Sequence, residues 1–112
     1  MKAKTSIPVR GLPLPKIHPG VILRKYVLEE RGLSQSQFAV STGMSVSRIN
    51  DIIKGRRGLT MDAVLRFAKV LGTSEGFWLN LQAAYDRAEA LEAKAAEYAQ
   101  LKPLPVPSRE AA

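Results

Sequence analysis

The stretch that decides the fold runs from Thr42 to Gly58 and reads "TGMSVSRINDIIKGRRG". When side chains are advanced by about 100° per residue, the aliphatic ones collect on one half of a helix and polar ones point the opposite way. The aliphatic set is Val46, Ile49, Ile52 and Ile53, and the polar set is Ser47, Asp51 and Lys54. The pattern predicts a short helix that is packed against a protein body by one face and presents the other.

A second short helix is predicted just before it, in the string "LSQSQFAVSTG". Ser34 is a typical N-cap residue for this helix, and Gly43 is a typical stop. Ser45 can cap the following helix, which we expect to run from about Val46 to Lys54. Two short helices joined by a three-residue turn, "GMS", have the spacing of a helix-turn-helix, in which the second helix is presented to a partner.

Three further helices surround this pair. The first closes at Gly32 and is expected to bury Ile22, Leu23, Tyr26 and Val27. Thr60 caps the fourth, whose inward residues are predicted as Met61, Val64, Phe67, Ala68 and Leu71. The fifth opens at Ser74, carries Phe77, Trp78, Leu81, Ala84 and Tyr85 at core spacing, and continues through strong helix formers. With no strand-like alternation, the chain is predicted to be all-α.

The predicted organisation is one helical domain with appended ends. Residues 1–16 form a basic, proline-rich arm expected to be mobile, and residues 17–86 form the helix-turn-helix domain. Residues 87–100, called the extension below, continue the last helix, and residues 101–112 form a second flexible tail. A chain of 112 residues with 46% apolar content suits a single compact domain.

Composition excludes several functional classes. The chain has no cysteine, so disulfides, thiolate zinc sites and cysteine nucleophiles are excluded. No apolar run is long enough to suggest a membrane span, and we expect a cytoplasmic protein that contacts no membrane. His18 is the only histidine and is interpreted as part of the start of the first helix rather than as a metal ligand. No catalytic or cofactor-binding cluster is present, so neither an enzyme nor a cofactor is predicted.

The positive charge is concentrated in the first half of the chain. The whole chain has a formal net charge of +7, but residues 1–58 contain 11 Lys and Arg against three acidic residues. Residues 59–112 contain 6 basic and 7 acidic residues. This asymmetry favours a polyanion-binding face in the first half, the alternative being a cationic surface that only aids solubility.

If the polyanion is duplex DNA, the presented helix has suitable side chains. The major groove admits one α-helix, whose N-terminal residues meet the base edges. The predicted base contacts are Val46, Ser47, Arg48 and Asn50, and the predicted phosphate contacts are Gln35, Lys54, Arg56 and Arg57. Asp51 either accepts a hydrogen bond from cytosine or pairs with a neighbouring basic side chain. Residues 54–57, the basic turn, are alternatively an ordinary solvated turn.

At this point residues 17–86 resemble a known family, the HigA-like antitoxins, a branch of the Xre and phage-repressor helix-turn-helix group. The wider group shares the skeleton "LSQ…FA…G.S.SRI…I..G.R", and the antitoxin branch shares "HPG", "RGLT" and "GTSEGFWLNLQAAYD". Many repressors of the wider group carry a glutamate where this chain has Ile53, and core packing at this position agrees with the antitoxin branch.

The resemblance implies a five-helix, lambda-repressor-like domain with an extended last helix. It implies a homodimer that binds a palindromic operator upstream of its own operon and neutralises a RelE/HigB-like, mRNA-cleaving toxin. Carried over residue by residue, it places Ser45, Val46, Ser47, Arg48 and Asn50 at operator bases, and Gln35, Lys54 and Arg57 at phosphates. It also assigns Phe77, Trp78, Leu81 and Tyr85 to core and dimer packing.

Three other functions remain as alternatives. A stand-alone transcription regulator of the same fold differs only in lacking a toxin encoded by a neighbouring gene. A protein-interaction module would have a mutated or acidic presented face, whereas this face is acidic only at Asp51. An enzyme is the weakest alternative, since no catalytic constellation is present.

Overall fold

A computed structural model describes residues 16–106, so the predictions for residues 1–15 and 107–112 lie outside the described residues. This part of the chain contains five helices and no strand, which confirms the predicted all-α fold. Helix α1 comprises the contiguous segments Pro19–Ile22, Leu23–Leu28 and Glu29–Arg31. The others are α2 (Gln35–Thr42), α3 (Val46–Ile53), α4 (Met61–Leu71) and α5 (Glu75–Ala99).

The helix starts follow the predicted caps. The side chains of Ser34, Ser45, Thr60 and Ser74 each accept a hydrogen bond from the backbone N–H three residues later. Ser34 forms a full capping box, because the side chain of Gln37 accepts from its backbone N–H in return. Gly43 ends α2 with φ of 70°, a left-handed conformation that side chains disfavour, so the turn into α3 depends on this glycine.

The middle of α1 is a π-helix, which the sequence pattern did not predict. Over Leu23–Leu28 the backbone bonds span five residues, and the Glu29 N–H donates to the Arg24 carbonyl. Inward residues therefore recur five apart rather than four, and the buried set is Ile22, Leu23, Val27 and Leu28. The prediction that Tyr26 faces inward is wrong: this residue is 51% exposed.

A chain of aromatic rings forms the centre of the core. Phe38 from α2 meets Phe67 from α4 at 5.1 Å between ring centroids, and Phe67 meets Trp78 from α5 at 5.3 Å. All three are fully buried, and the Trp78 indole N–H donates to the Thr73 hydroxyl at 2.7 Å. Edge-to-face contacts of this kind tie the helix-turn-helix to the two helices behind it.

One inward assignment in α4 is wrong, and part of α5 leaves the core. Met61 was expected to be buried but is 57% exposed, and Ala63, two residues later, is fully buried in its place. In α5 every residue from 91 to 99 is exposed, and Lys94 departs from helical geometry with φ of −136°. None of the helices within residues 16–106 has the length and apolarity required to traverse a bilayer.

Candidate nucleic-acid interface

Helix α3 is attached to the body by its aliphatic face. Ile49 and Ile52 are fully buried, and Ile53 is partly buried against the core. Val46, predicted to face inward, is instead 46% exposed. It lies about 90° around the helix from the midpoint between Ile49 and Ile52, which places it at the edge of the buried face.

The N-terminus of α3 is open to solvent. Ser45, Val46 and Ser47 are all exposed. The Ser45 hydroxyl is engaged as the N-cap, since it accepts from the Arg48 N–H at 3.1 Å. Its proton remains available for an acceptor outside the chain. The short side chains here allow a groove wall or a phosphate to approach the helix closely.

Two predicted contact residues from different helices meet directly. The Asn50 amide donates to the Gln35 side-chain oxygen at 3.1 Å, which joins α3 to the first residue of α2. Both residues are partly buried. The hydrogen bond fixes the two side chains relative to each other. Each amide keeps donor and acceptor capacity that this bond does not use. The structure thus brings together one predicted phosphate contact and one predicted base contact.

Arg48 is engaged within the chain. One Nη atom donates to the Thr60 hydroxyl at 2.8 Å, and the other lies 3.4 Å from an Asp62 carboxylate oxygen, both at the start of α4. The guanidinium of Arg66, with a smaller effect of Arg48, holds the pKa of the Asp62 carboxyl below its usual value. Two of the guanidinium N–H groups of Arg48 are therefore used within the chain. The sequence predicted Arg48 as a base contact and gave no sign of these partners, because Thr60 and Asp62 are remote in sequence.

Asp51 pairs with the basic turn. Its two carboxylate oxygens lie 3.0 Å from Arg56 and 3.4 Å from Arg57. This arrangement matches the pairing alternative for Asp51. The two arginines keep large exposed fractions, 59% and 50% of their side chains, and Lys54 is also exposed. The basic turn therefore remains able to meet phosphates.

The end of α3 lies directly against the beginning of α1. A Cβ atom on Gly20 would clash with the Ile52 carbonyl oxygen, so no side chain can be accommodated at that position. Behind the basic turn, the Gln82 side chain of α5 accepts from the Leu59 N–H at 2.7 Å. Neither Gly20 nor Gln82 was predicted as a supporting residue. The only sequence signals were their places in the "HPG" and "GTSEGFWLNLQAAYD" strings.

The residues assigned to core and dimer packing separate into two groups. Trp78 and Leu81 are 0% and 4% exposed and lie within the core of the single chain, so they present no surface to a second copy. Phe77 and Tyr85 are partly buried. The Tyr85 hydroxyl donates to Glu89 at 3.1 Å, and its ring meets that of His18 at 4.9 Å. Only Phe77 and Tyr85 retain surface that dimer packing could use.

No group of three or more His or acidic side chains within residues 16–106 is arranged to hold a metal ion. The geometry is that of a binding surface: a buried aliphatic face, a polar face braced by α2 and α4, and a basic turn at its end.

Comparison with known proteins agrees with this geometry. Residues 23–78 match the helix-turn-helix family. Virulence-associated protein I of Dichelobacter nodosus is 44% identical over 81 residues, which cover 72% of this chain and 75% of that protein. The chain belongs to the Xre-type helix-turn-helix family.

The chain is also similar in structure to solved proteins. An addiction module antidote protein of the HigA family from Coxiella burnetii superposes with a TM-score of 0.75 at 36% identity, covering 80% of this chain and 99% of that one. Pseudomonas aeruginosa antitoxin HigA with the higBA promoter gives a TM-score of 0.76 at 35% identity, with 80% and 99% coverage. The structural neighbours of this Xre-type chain are therefore HigA-family antitoxins, as the sequence motifs indicated.

Proposed function

We propose that this chain is a sequence-specific DNA-binding antitoxin that represses its own operon and neutralises a RelE/HigB-like, mRNA-cleaving toxin in the cytoplasm. The observation that carries the DNA-binding half is the anchoring of α3. Its buried isoleucines and its contacts to α2 and α4 hold a polar face at a fixed orientation, with the basic turn at its end. The solved structure of Pseudomonas aeruginosa antitoxin HigA, which has the same fold, is one with the higBA promoter.

In this proposal α3 enters the major groove with its N-terminus toward the bases. Ser47, Val46 and Asn50 contact base edges, and Arg48 joins them after leaving Thr60 and Asp62. Gln35 and the basic turn contact phosphates on either side of the groove. Because the phosphate contacts are charged and exposed, binding should weaken steeply as salt increases.

The chain acts as a homodimer in this proposal, with Phe77 and Tyr85 as dimer contacts. A two-fold axis would place two copies of α3 on one face of the duplex, about 34 Å apart, so that each reads one half of a palindrome. A monomer would contact only one half of the palindrome and would bind weakly. A requirement for both half-sites in the operator would therefore indicate a dimer.

Fluorescence anisotropy with labelled duplexes tests the DNA-binding half. The probe is the duplex upstream of this chain's own gene, compared with a scrambled duplex of equal composition. At about 0.15 M salt we expect a preference of roughly 10³-fold or more for the promoter duplex. Arg57→Ala should weaken binding to both duplexes and reduce the slope of log K against log salt by about 1. Lys102→Ala, an exposed residue after α5, is the control. Equal affinity of the unaltered protein for the two duplexes would refute this half.

Co-expression with the neighbouring genes tests the antitoxin half. We expect a small basic neighbour that arrests growth alone, is tolerated with this chain, and co-purifies with it. If both neighbours are harmless and neither co-purifies while the promoter duplex is bound, the chain is a stand-alone regulator.

A further inference from the structure

The segment His18-Pro19-Gly20 opens α1 and supports the end of α3. Pro19 and Gly20 are buried, and the close approach of Gly20 to the Ile52 carbonyl brings the start of α1 onto the last turn of α3. None of the proposed DNA contacts includes these residues. They nevertheless pack against the last turn of α3, directly before the basic turn.

His18 connects three separate parts of this support. Its Nδ1 atom accepts from the Gly20 N–H at 2.9 Å and so caps α1. The Ile52 carbonyl against which Gly20 packs also accepts from the Gly55 N–H at 3.0 Å, in the basic turn. Carbon atoms of the ring lie 3.9 Å from the position that a Cβ on Gly55 would occupy. On the opposite side the ring meets Tyr85 of α5 edge to face.

We propose that His18, in its neutral form, is a positioning residue that sets the orientation of the basic turn relative to α3. Protonation of the imidazole at acidic pH removes this constraint. The proposal rests on the proposed DNA-binding function for its consequence, but its structural part can be measured without DNA. A neutral imidazole has one acceptor nitrogen, which suits the Gly20 N–H. A protonated imidazole has two donors and cannot cap α1.

The surroundings of His18 oppose its protonation. Burial is the largest influence and lowers the pKa of the imidazole below its usual value, while the Arg57 backbone and the Asp86 carboxylate act in the raising direction. The other charged groups nearby are paired: Lys16 binds Glu89 and Glu92, and Glu89 accepts from Tyr85. Since the folded pKa is depressed, His18 contributes its full stability above about pH 6.5 and loses it as pH falls through the lowered folded value.

Nuclear magnetic resonance of the free protein tests the structural part. Between about pH 7.5 and 5 we expect the backbone amides of Gly20, Gly55 and Arg57 to shift with the same apparent pKa as the His18 ring. In His18→Asn the side-chain oxygen can still cap α1, but the titrating imidazole is lost. The pH-dependent shifts of Gly55 and Arg57 should then disappear.

The consequence for DNA binding is tested with the promoter duplex and the scrambled duplex at pH 7.5. His18→Asn should weaken binding to both duplexes roughly three- to tenfold, the effect of losing about one aromatic contact, here that between His18 and Tyr85. Ser74→Ala removes the cap of α5, where the Ser74 hydroxyl accepts from the Phe77 N–H, and is the matched control. It should lower thermal stability without changing the affinity for either duplex.

The proposal is overturned if the amides of Gly55 and Arg57 do not follow the ring titration in the unaltered protein. It is also overturned if His18→Asn binds both duplexes as tightly as an unaltered protein that does prefer the promoter duplex. If the unaltered protein shows no promoter preference, the DNA-binding function fails while the ring and amide titrations still decide the role of His18. The same titrations decide it if His18→Asn does not fold.

Discussion

Helix α3 and the second half of α5 both expose a polar surface, but they are held in different ways. In α3, Ile49 and Ile52 are fully buried, and side-chain contacts reach α2 and α4. In α5, every residue from 91 to 99 is exposed. The ion pairs of Lys16 with Glu89 and Glu92, both 2.8 Å, join the extension to the start of the described chain.

The difference shows that exposure alone does not mark a surface suited to base recognition. Hydrogen bonds to base edges require side chains whose positions are already determined, because ordering them on binding costs conformational entropy. Helix α3 meets that condition through its anchors. The extension is helical mainly because Ala, Glu, Leu and Lys have high helix propensity, and it remains accessible to a partner.

The largest effect is expected from removing an anchor of α3. Ile49→Ala deletes a fully buried side chain and should lower the free energy of unfolding by about 2–5 kcal/mol. Val46→Ala in the same helix, at a residue that is 46% exposed, should change it by no more than about 0.5 kcal/mol. Urea denaturation measures both. Equal losses would mean that α3 is not held by one face.

The next effect is expected at the contact between α1 and α3. Gly20→Ala places a methyl group against the Ile52 carbonyl, a backbone atom that cannot rotate away, and should cost about 3 kcal/mol. The matched control is Gly76→Ala, whose new Cβ would meet only the Ser74 hydroxyl at 4.0 Å. Because Ala is favoured over Gly in a helix, this control should stabilise the protein by up to about 1 kcal/mol. Thermal unfolding of the two variants gives the comparison, and a Gly20→Ala protein as stable as the control would contradict the close packing.

A smaller effect is expected at the cap of α3. Ser45→Ala removes the oxygen that accepts from the Arg48 N–H and should cost about 1 kcal/mol. Ser47→Ala, at an exposed residue inside the first turn, should have a much smaller effect on unfolding. If circular dichroism melts of the two variants coincide, the cap contributes nothing to stability.

The smallest effect is expected in the extension. Leu91→Ala, at 37% exposure, should change the free energy of unfolding by no more than about 0.5 kcal/mol. Leu81→Ala in the buried part of the same helix, at 4% exposure, should cost about 2–5 kcal/mol. A large loss at Leu91 in urea denaturation would show that something covers the extension in solution.

The sequence predicted local features well and contacts between helices poorly. The caps at Ser34, Ser45, Thr60 and Ser74 were predicted because an N-cap depends on only three or four consecutive residues. Tyr26 was misplaced because a period of 3.6 residues was assumed where the backbone is a π-helix. The partners of Arg48 were missed because Thr60 and Asp62 belong to another helix.

The sequence by itself determined the number of helices, their capped starts and the choice of α3 as the presented helix, because caps and hydrophobic periodicity act over a few residues. Only the tertiary structure decided that Gly20 contacts the end of α3 and that Arg48 is held by α4. Those contacts join residues 12 and 32 positions apart. Their existence depends on how whole helices pack, which no local pattern specifies.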